Sequence, residues 1–87
     1  MYSLAISKDA RKFIDKQPSH TRQRLRNALI QLAEDPFTNQ NVKRLKGTDT
    51  MLRLRVGDFR IVFSIEEQKL MILVISIGNR GDVYNKF

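Results

Sequence analysis

Cysteine is missing from these 87 residues. Its absence excludes a disulfide framework, a thiolate metal site and a thiol nucleophile, and nothing then points to an oxidising compartment. Histidine occurs once, at His20, so no pair of imidazoles can share acid–base work. The four glycines follow no phosphate-loop pattern. The carboxylates are scattered without metal-ligand spacing, the only adjacent pairs being Glu34-Asp35 and Glu66-Glu67. The longest apolar run, Leu70 to Ile77 with Ser76 inside it, falls far short of the roughly 20 residues of a bilayer span. No basic-then-apolar leader stands among the first residues. Together these absences predict a soluble cytoplasmic protein that uses no membrane, metal or cofactor.

What the chain does have is positive charge. Sixteen Lys and Arg against nine Asp and Glu give a formal +7, and a small basic domain commonly meets a polyanion or an acidic partner. Hydrophobic residues make up 41% and charged residues 29%, a globular composition rather than a disordered one. The length predicts a single domain over 1–87 with a thin core, because a chain of this size buries only about 60 to 65% of its unfolded surface. The charge is uneven. Residues 1–41 hold seven basic and four acidic side chains, residues 42–60 six and two, and residues 61–87 three of each. The middle segment therefore carries most of the asymmetry.

Along the chain, Tyr2 to Ile6 reads as a strand and Ser7 as the N-cap of a helix with Asp9 in its first turn. Ala10, Phe13 and Ile14 recur at helical spacing until Pro18. A second helix is predicted from Ser19, with Leu25, Ala28, Leu29, Leu32 and Ala33 in period and Asp35-Pro36 as its stop. His20, near its start, suits a capping or surface role better than catalysis. From Val42 the period changes. Val42 to Lys46 is extended or a short edge strand, Leu52 to Val56 alternates strictly, Gly57-Asp58 is a two-residue hairpin turn, and Phe59 to Ile65 returns. Leu70 to Ile77 is predicted as an interior strand covered on both faces, being apolar at odd and even positions alike. Phe13, Phe59 and Phe63 read as core. The fold class is α+β, in the order β-α-α-β-β-β, with a helical hairpin packed on a small, mostly antiparallel sheet.

A two-residue loop fixes the hairpin register: Val56 opposite Phe59, Arg55 opposite Arg60, Leu54 opposite Ile61, Arg53 opposite Val62. Leu52, Leu54, Val56, Phe59, Ile61, Phe63 and Ile65 then share the face under the helices, and Arg53, Arg55 and Arg60 share the other. Directly opposed like charges cost up to about 1 kcal/mol, and a thin core offers no folding reason for stacking three guanidiniums. A four-residue second turn would place Ile65 opposite Leu70 and Phe59 opposite Ser76. Gly78 to Tyr84 would then emerge beside the Gly57-Asp58 turn, bringing Arg80 and Tyr84 towards the arginine face. A solvated face neutralised by Asp49, Asp58 and Asp82 is the bland alternative. An anion site is favoured for the cluster as a whole, and arginine forks suit a phosphodiester.

Leu45-Lys46-Gly47, then Leu52 to Phe63 with its basic alternating strand and Gly57-Asp58-Phe59-Arg60, then Val74 to Arg80 with Asp82-Val83-Tyr84, resemble the RelE/ParE toxin superfamily over essentially the whole chain. RelE-like members of that superfamily are ribosome-dependent endoribonucleases that cut messenger RNA in the ribosomal A site; ParE-like members share the fold but poison DNA gyrase. The RelE branch is the closer resemblance. It implies catalytic roles for Arg53 and Arg55 on the strand, Arg60 in the hairpin, Arg80 after the last strand and Tyr84 near the end. The two strand positions are often lysine in RelE relatives, and arginine there keeps the charge but gives up a deprotonatable amine. The resemblance further implies a RelB-like antitoxin partner, operator DNA bound indirectly through that antitoxin, and contact with the ribosome (16S rRNA) and mRNA. Lys43, Arg44, Lys46, Arg22 and Arg26, with Arg24, are candidates for ribosomal RNA or antitoxin contact.

Cleavage without metal or histidine is chemically reasonable if the RNA 2′-hydroxyl attacks the adjacent phosphorus. The protein must then accept the 2′ proton, neutralise the developing phosphorane charge and protonate the leaving oxygen. Arginines supply the charge. Tyr84 is the best available base, although a phenol is almost wholly protonated at neutral pH unless nearby cations lower its pKa. The competing expectations are a gyrase inhibitor without nuclease activity and an idle module that only pairs with its antitoxin.

Overall fold

Ser7 is where the fold turns from strand to helix, and it binds both. In the computed structural model, which describes residues 1–45, 47 and 50–79, strand β1 (Ser3–Ile6) leads directly into helix α1 (Lys8–Asp15). The Ser7 hydroxyl accepts the Ala10 N–H at 3.1 Å and donates to the Ile75 carbonyl at 2.6 Å. Pro18 then stands at the N-cap of α2 (Ser19–Glu34). Asp35 ends α2 as expected: its carboxylate accepts the Phe37 and Thr38 N–H groups and the Thr38 hydroxyl, turning the chain away.

The remaining elements are β2 (Val42–Arg44), β3 (Leu52–Val56), β4 (Phe59–Glu66) and β5 (Met71–Asn79), in a five-stranded sheet of order β1-β5-β4-β3-β2. Only β1 and β5 run parallel; the other pairs are antiparallel. Both helices cover one face. Ala10, Ile14, Leu25, Leu29 and Leu32 meet Leu54, Ile61, Phe63, Ile72, Val74 and Ile77 in the main core, and the Phe13 and Phe59 rings meet edge-on at 5.8 Å. Among the described residues no helix is long and apolar enough to cross a membrane.

Residues 52–65 match the expected hairpin register pair for pair. The next pairing does not. Ile65 lies opposite Ile72 rather than Leu70, and Phe59 opposite Asn79 rather than Ser76. Two features shift it. The connection keeps four residues but lies one residue later than expected, at 67–70, as a 3-10 turn, Glu67–Lys69, capped by Leu70 in the left-handed region (φ 50°). A bulge then inserts Ile75 between the partners of Phe63 and Val62. Because side chains alternate with period two, one extra residue swaps the faces beyond it: Val74 and Ile77 both enter the core, and Ser76 moves to the face of Val62.

Coverage of β5 also differs from expectation. The strand is interior in the sheet, but Leu70 and Leu73 remain exposed. With both helices on one side, the cover that the described residues give the other face is small, formed where Leu45 and Met51 pack on Val62. Leu45 and Met51 are joined there by the Leu45 N–H bound to the Met51 carbonyl at 3.0 Å.

Candidate functional site

Strict alternation along β3 sends Leu52, Leu54 and Val56 to the helices and Arg53 and Arg55 to the opposite face. Antiparallel pairing sets Lys43 of β2 beside Arg53, and Arg60 of β4 beside Arg55. Arg55 is exposed and Arg53 half-buried. With Lys43, Gln40 and Asn41 they line a depression of about 140 Å³. A larger one, about 270 Å³, lies between α1 and the far part of β5, where Asp9 faces Lys12 and Lys16; its mixed charge suits an anion less well.

Among the described residues the cations of the smaller depression have no carboxylate counterion. Among the described residues the one ion pair joins Lys69 and Glu66 at 3.6 Å, on the surface, and no arginine is paired with a carboxylate. Like charges held side by side on adjacent strands cost stability, and a bound anion removes that cost. The bland solvated-face alternative assigned Asp49, Asp58 and Asp82 to neutralise this cluster; Asp58 makes no such pair, and Asp49 and Asp82 lie outside the described residues.

Arg60 stands apart. It is only 7% exposed, and its Nη1 donates to the carbonyls of Gly57 at 3.1 Å and Phe59 at 3.0 Å. The expectation that no arginine here serves folding is corrected at this residue, because its guanidinium ties down the hairpin turn that carries Arg55. Gly57 itself has φ +58°, and a Cβ there would stand 2.4 Å from Arg24 Nη2. The Arg24 guanidinium from α2 thus lies against the same turn.

Of the other sequence candidates, Lys43 joins the cluster. Arg44, the next residue, alternates to the other side of β2 and is exposed at the edge. Arg22 donates to the Gln17 carbonyl at 3.3 Å. Arg22 and Arg26 lie on α2, across the sheet from Arg53. His20 is exposed in the first turn of α2. Lys46, Arg80 and Tyr84 lie outside the described residues; β5 is described to Asn79, paired with Phe59 beside the hairpin turn. Sequence reasoning missed Gln40 and Asn41, since two amides in a polar loop carry no pattern until the loop is seen against β3.

A family model described as the ParE toxin of type II toxin–antitoxin system, parDE, matches residues 4–84. The chain belongs to this toxin family. Within the wider RelE/ParE superfamily its similarities run to proteins named RelE. It is 29% identical over 87 residues to the mRNA interferase toxin RelE of Escherichia coli K12, covering 98% of this chain and 92% of that protein. Among solved structures, the archaeal RelE–RelB complex from Pyrococcus horikoshii OT3 superposes with TM-score 0.79 at 25% identity, covering 93% of this chain and 97% of that one. The intact E. coli RelBE toxin–antitoxin complex gives 0.75 at 28%, covering 91% and 96%. The expected helical hairpin on a mostly antiparallel sheet is the fold these toxins share.

Proposed function

We propose that this toxin is a ribosome-dependent endoribonuclease that cleaves messenger RNA in the ribosomal A site. The observation that carries the reading is the depression in which Lys43, Arg53 and Arg55 converge without a carboxylate partner among the described residues. The naming of the E. coli relative as an mRNA interferase supports it.

In this reading the scissile phosphate lies against Arg53 and Arg55. The 2′-oxygen bonds to phosphorus, the bond from phosphorus to the 5′-oxygen breaks, and the products are a 2′,3′-cyclic phosphate and a 5′-hydroxyl. Tyr84 accepts the 2′ proton and Arg80 assists the departing 5′-oxygen; both roles come from the sequence resemblance. Arg53 and Arg55 neutralise the extra charge of the phosphorane, an effect of about 100- to 1,000-fold per well-placed donor. Arg60 acts through the hairpin, as a positioning residue. Lys43 adds its charge beside Arg53, and Arg44 and Lys46, with Arg22 and Arg26 on the helical face, offer the ribosome separate basic contacts. The ribosome would hold the 2′-oxygen in line with the leaving oxygen, a geometry that so small a protein cannot impose alone.

A RelB-like antitoxin is the proposed partner, as in the RelE–RelB complex of Pyrococcus, with operator contact made through that antitoxin. The test is primer extension on programmed ribosomes. Wild-type protein should cut the message and leave a cyclic phosphate, and Tyr84→Phe and Arg55→Ala should not. Intact message with the wild type overturns the reading. The parDE description of the family model favours a second one, inhibition of DNA gyrase. It predicts stalled gyrase with intact message, indifferent to Tyr84→Phe.

A further inference from the structure

The Asn39–Asn41 segment is built more firmly than an ordinary surface loop. The Asn39 side-chain oxygen accepts the Asn41 N–H at 2.9 Å, the Asn39 carbonyl accepts the Val42 N–H at 3.1 Å, and the Asn41 carbonyl accepts the Arg55 N–H at 3.1 Å. Main-chain bonds therefore pin Asn41 to β3 at the residue that carries the exposed arginine. The side-chain amides of Gln40 and Asn41 make no protein hydrogen bond among the described residues, and both line the depression with Lys43, Arg53 and Arg55. Three cations and two carboxamide residues thus form its walls, with no acidic residue among the described residues that line it.

The two walls suit the two halves of a nucleotide. Cations hold a phosphate without regard to sequence, whereas a carboxamide offers a donor and an acceptor side by side and so distinguishes bases. Adenine presents a matching donor and acceptor on both its exposed edges, through N6 with N7 and N6 with N1. Guanine and the pyrimidines pair a donor with an acceptor on the Watson–Crick edge as well. On the opposite edge guanine offers two acceptors and the pyrimidines have no ring nitrogen, so adenine alone matches a carboxamide on both. Single-stranded RNA can turn its bases outward to be read in this way.

We propose that Gln40 and Asn41 form a base-reading wall of the arginine depression, which takes an adenine nucleotide with its phosphate on Arg53 and Arg55. The inference deepens the nuclease reading and rests on it for its role in cleavage. The binding itself can be tested apart from cleavage. In an NMR titration of the 15N-labelled full chain, adenosine 5′-monophosphate should move the Gln40 and Asn41 side-chain amide signals together with the Arg53 and Arg55 Nε–H signals. Ribose 5-phosphate should move the arginine signals alone. Identical responses to the two ligands would reduce the depression to a plain anion site and overturn the proposal.

The second arm compares cleavage of A-site codons that differ only in adenine content. The preference for adenine codons, read as a ratio, should fall about 10-fold in the Gln40→Ala/Asn41→Ala double variant, within the 1–3 kcal/mol range of a base contact. Main-chain bonds to Asn39 and Arg55 survive these substitutions, so the fold is retained. An unchanged ratio overturns the proposal and leaves the nuclease reading standing. Amide shifts with adenosine 5′-monophosphate alongside intact message on ribosomes would do the opposite, keeping the nucleotide site and removing the nuclease.

Discussion

Arg55 and Arg60 are cross-strand neighbours with the same charge and different work. Arg55 is exposed over the depression, whereas Arg60 is buried with its Nη1 on two turn carbonyls. Arg55→Ala is expected to lower cleavage on programmed ribosomes about 100- to 1,000-fold while leaving urea unfolding unchanged. Arg60→Ala removes two charge-assisted bonds and is expected to cost about 2 kcal/mol in the same unfolding experiment. Equal losses of stability in both variants would refute this division. Asp35 gives a pH prediction at the same scale. The Thr38 hydroxyl, then the Thr38 and Phe37 N–H groups, hold its carboxyl below the ordinary aspartate value of 3.8. A depressed folded pKa means that the turn contributes stability above the ordinary value and loses it as pH falls through the lowered one. Carboxyl NMR titration should find a midpoint below 3.8, moving upward in Thr38→Val.

At the scale of elements, Ser7 couples the start of α1 to the bulge in β5. Its hydroxyl caps the helix and also holds the Ile75 carbonyl, the residue at which the strand changes face. Ser7→Ala should cost about 1 to 2 kcal/mol by urea unfolding, and amide exchange should accelerate in α1 and around Ile75 together. Acceleration in the helix alone would show that the cap and the bulge are independent. The hairpin of β3 and β4 was legible because Leu52 to Val56 alternates and Gly57-Asp58 admits one tight turn. The β4–β5 pairing was not. A 3-10 turn with a left-handed Leu70 and a bulge at Ile75 leave no mark in hydrophobic periodicity, since Ile, Leu and Val occupy both parities there.

For the whole molecule, the +7 charge acts through placement. Among the described residues, basic groups lie on both helices on one side of the sheet and at Lys43, Arg53 and Arg55 on the other. Binding of a short single-stranded RNA at the depression should weaken with salt at a log–log slope of about −2, from three cations at about −0.7 each. Arg55→Ala should reduce that slope by about 0.7, as fluorescence anisotropy across a salt series would show. A slope unaffected by the substitution would place RNA elsewhere, with the α2 arginines the next surface to test.

Periodicity alone determined the helical hairpin, the strands and the face shared by Arg53 and Arg55, because amphipathic helices and alternating strands must bury one side each. It also marked Arg53, Arg55 and Arg60 as a stack without a folding reason, which the structure corrects at Arg60. Tertiary structure decided the rest. It buried Arg60 in the turn, raised Leu45 and Met51 over Val62, moved Ser76 to the outer face and brought Gln40 and Asn41 against the arginines. Each of these depends on a loop returning to the sheet, or on one inserted residue. Such contacts are set by chain geometry and hydrogen bonding, not by the order of polar and apolar residues.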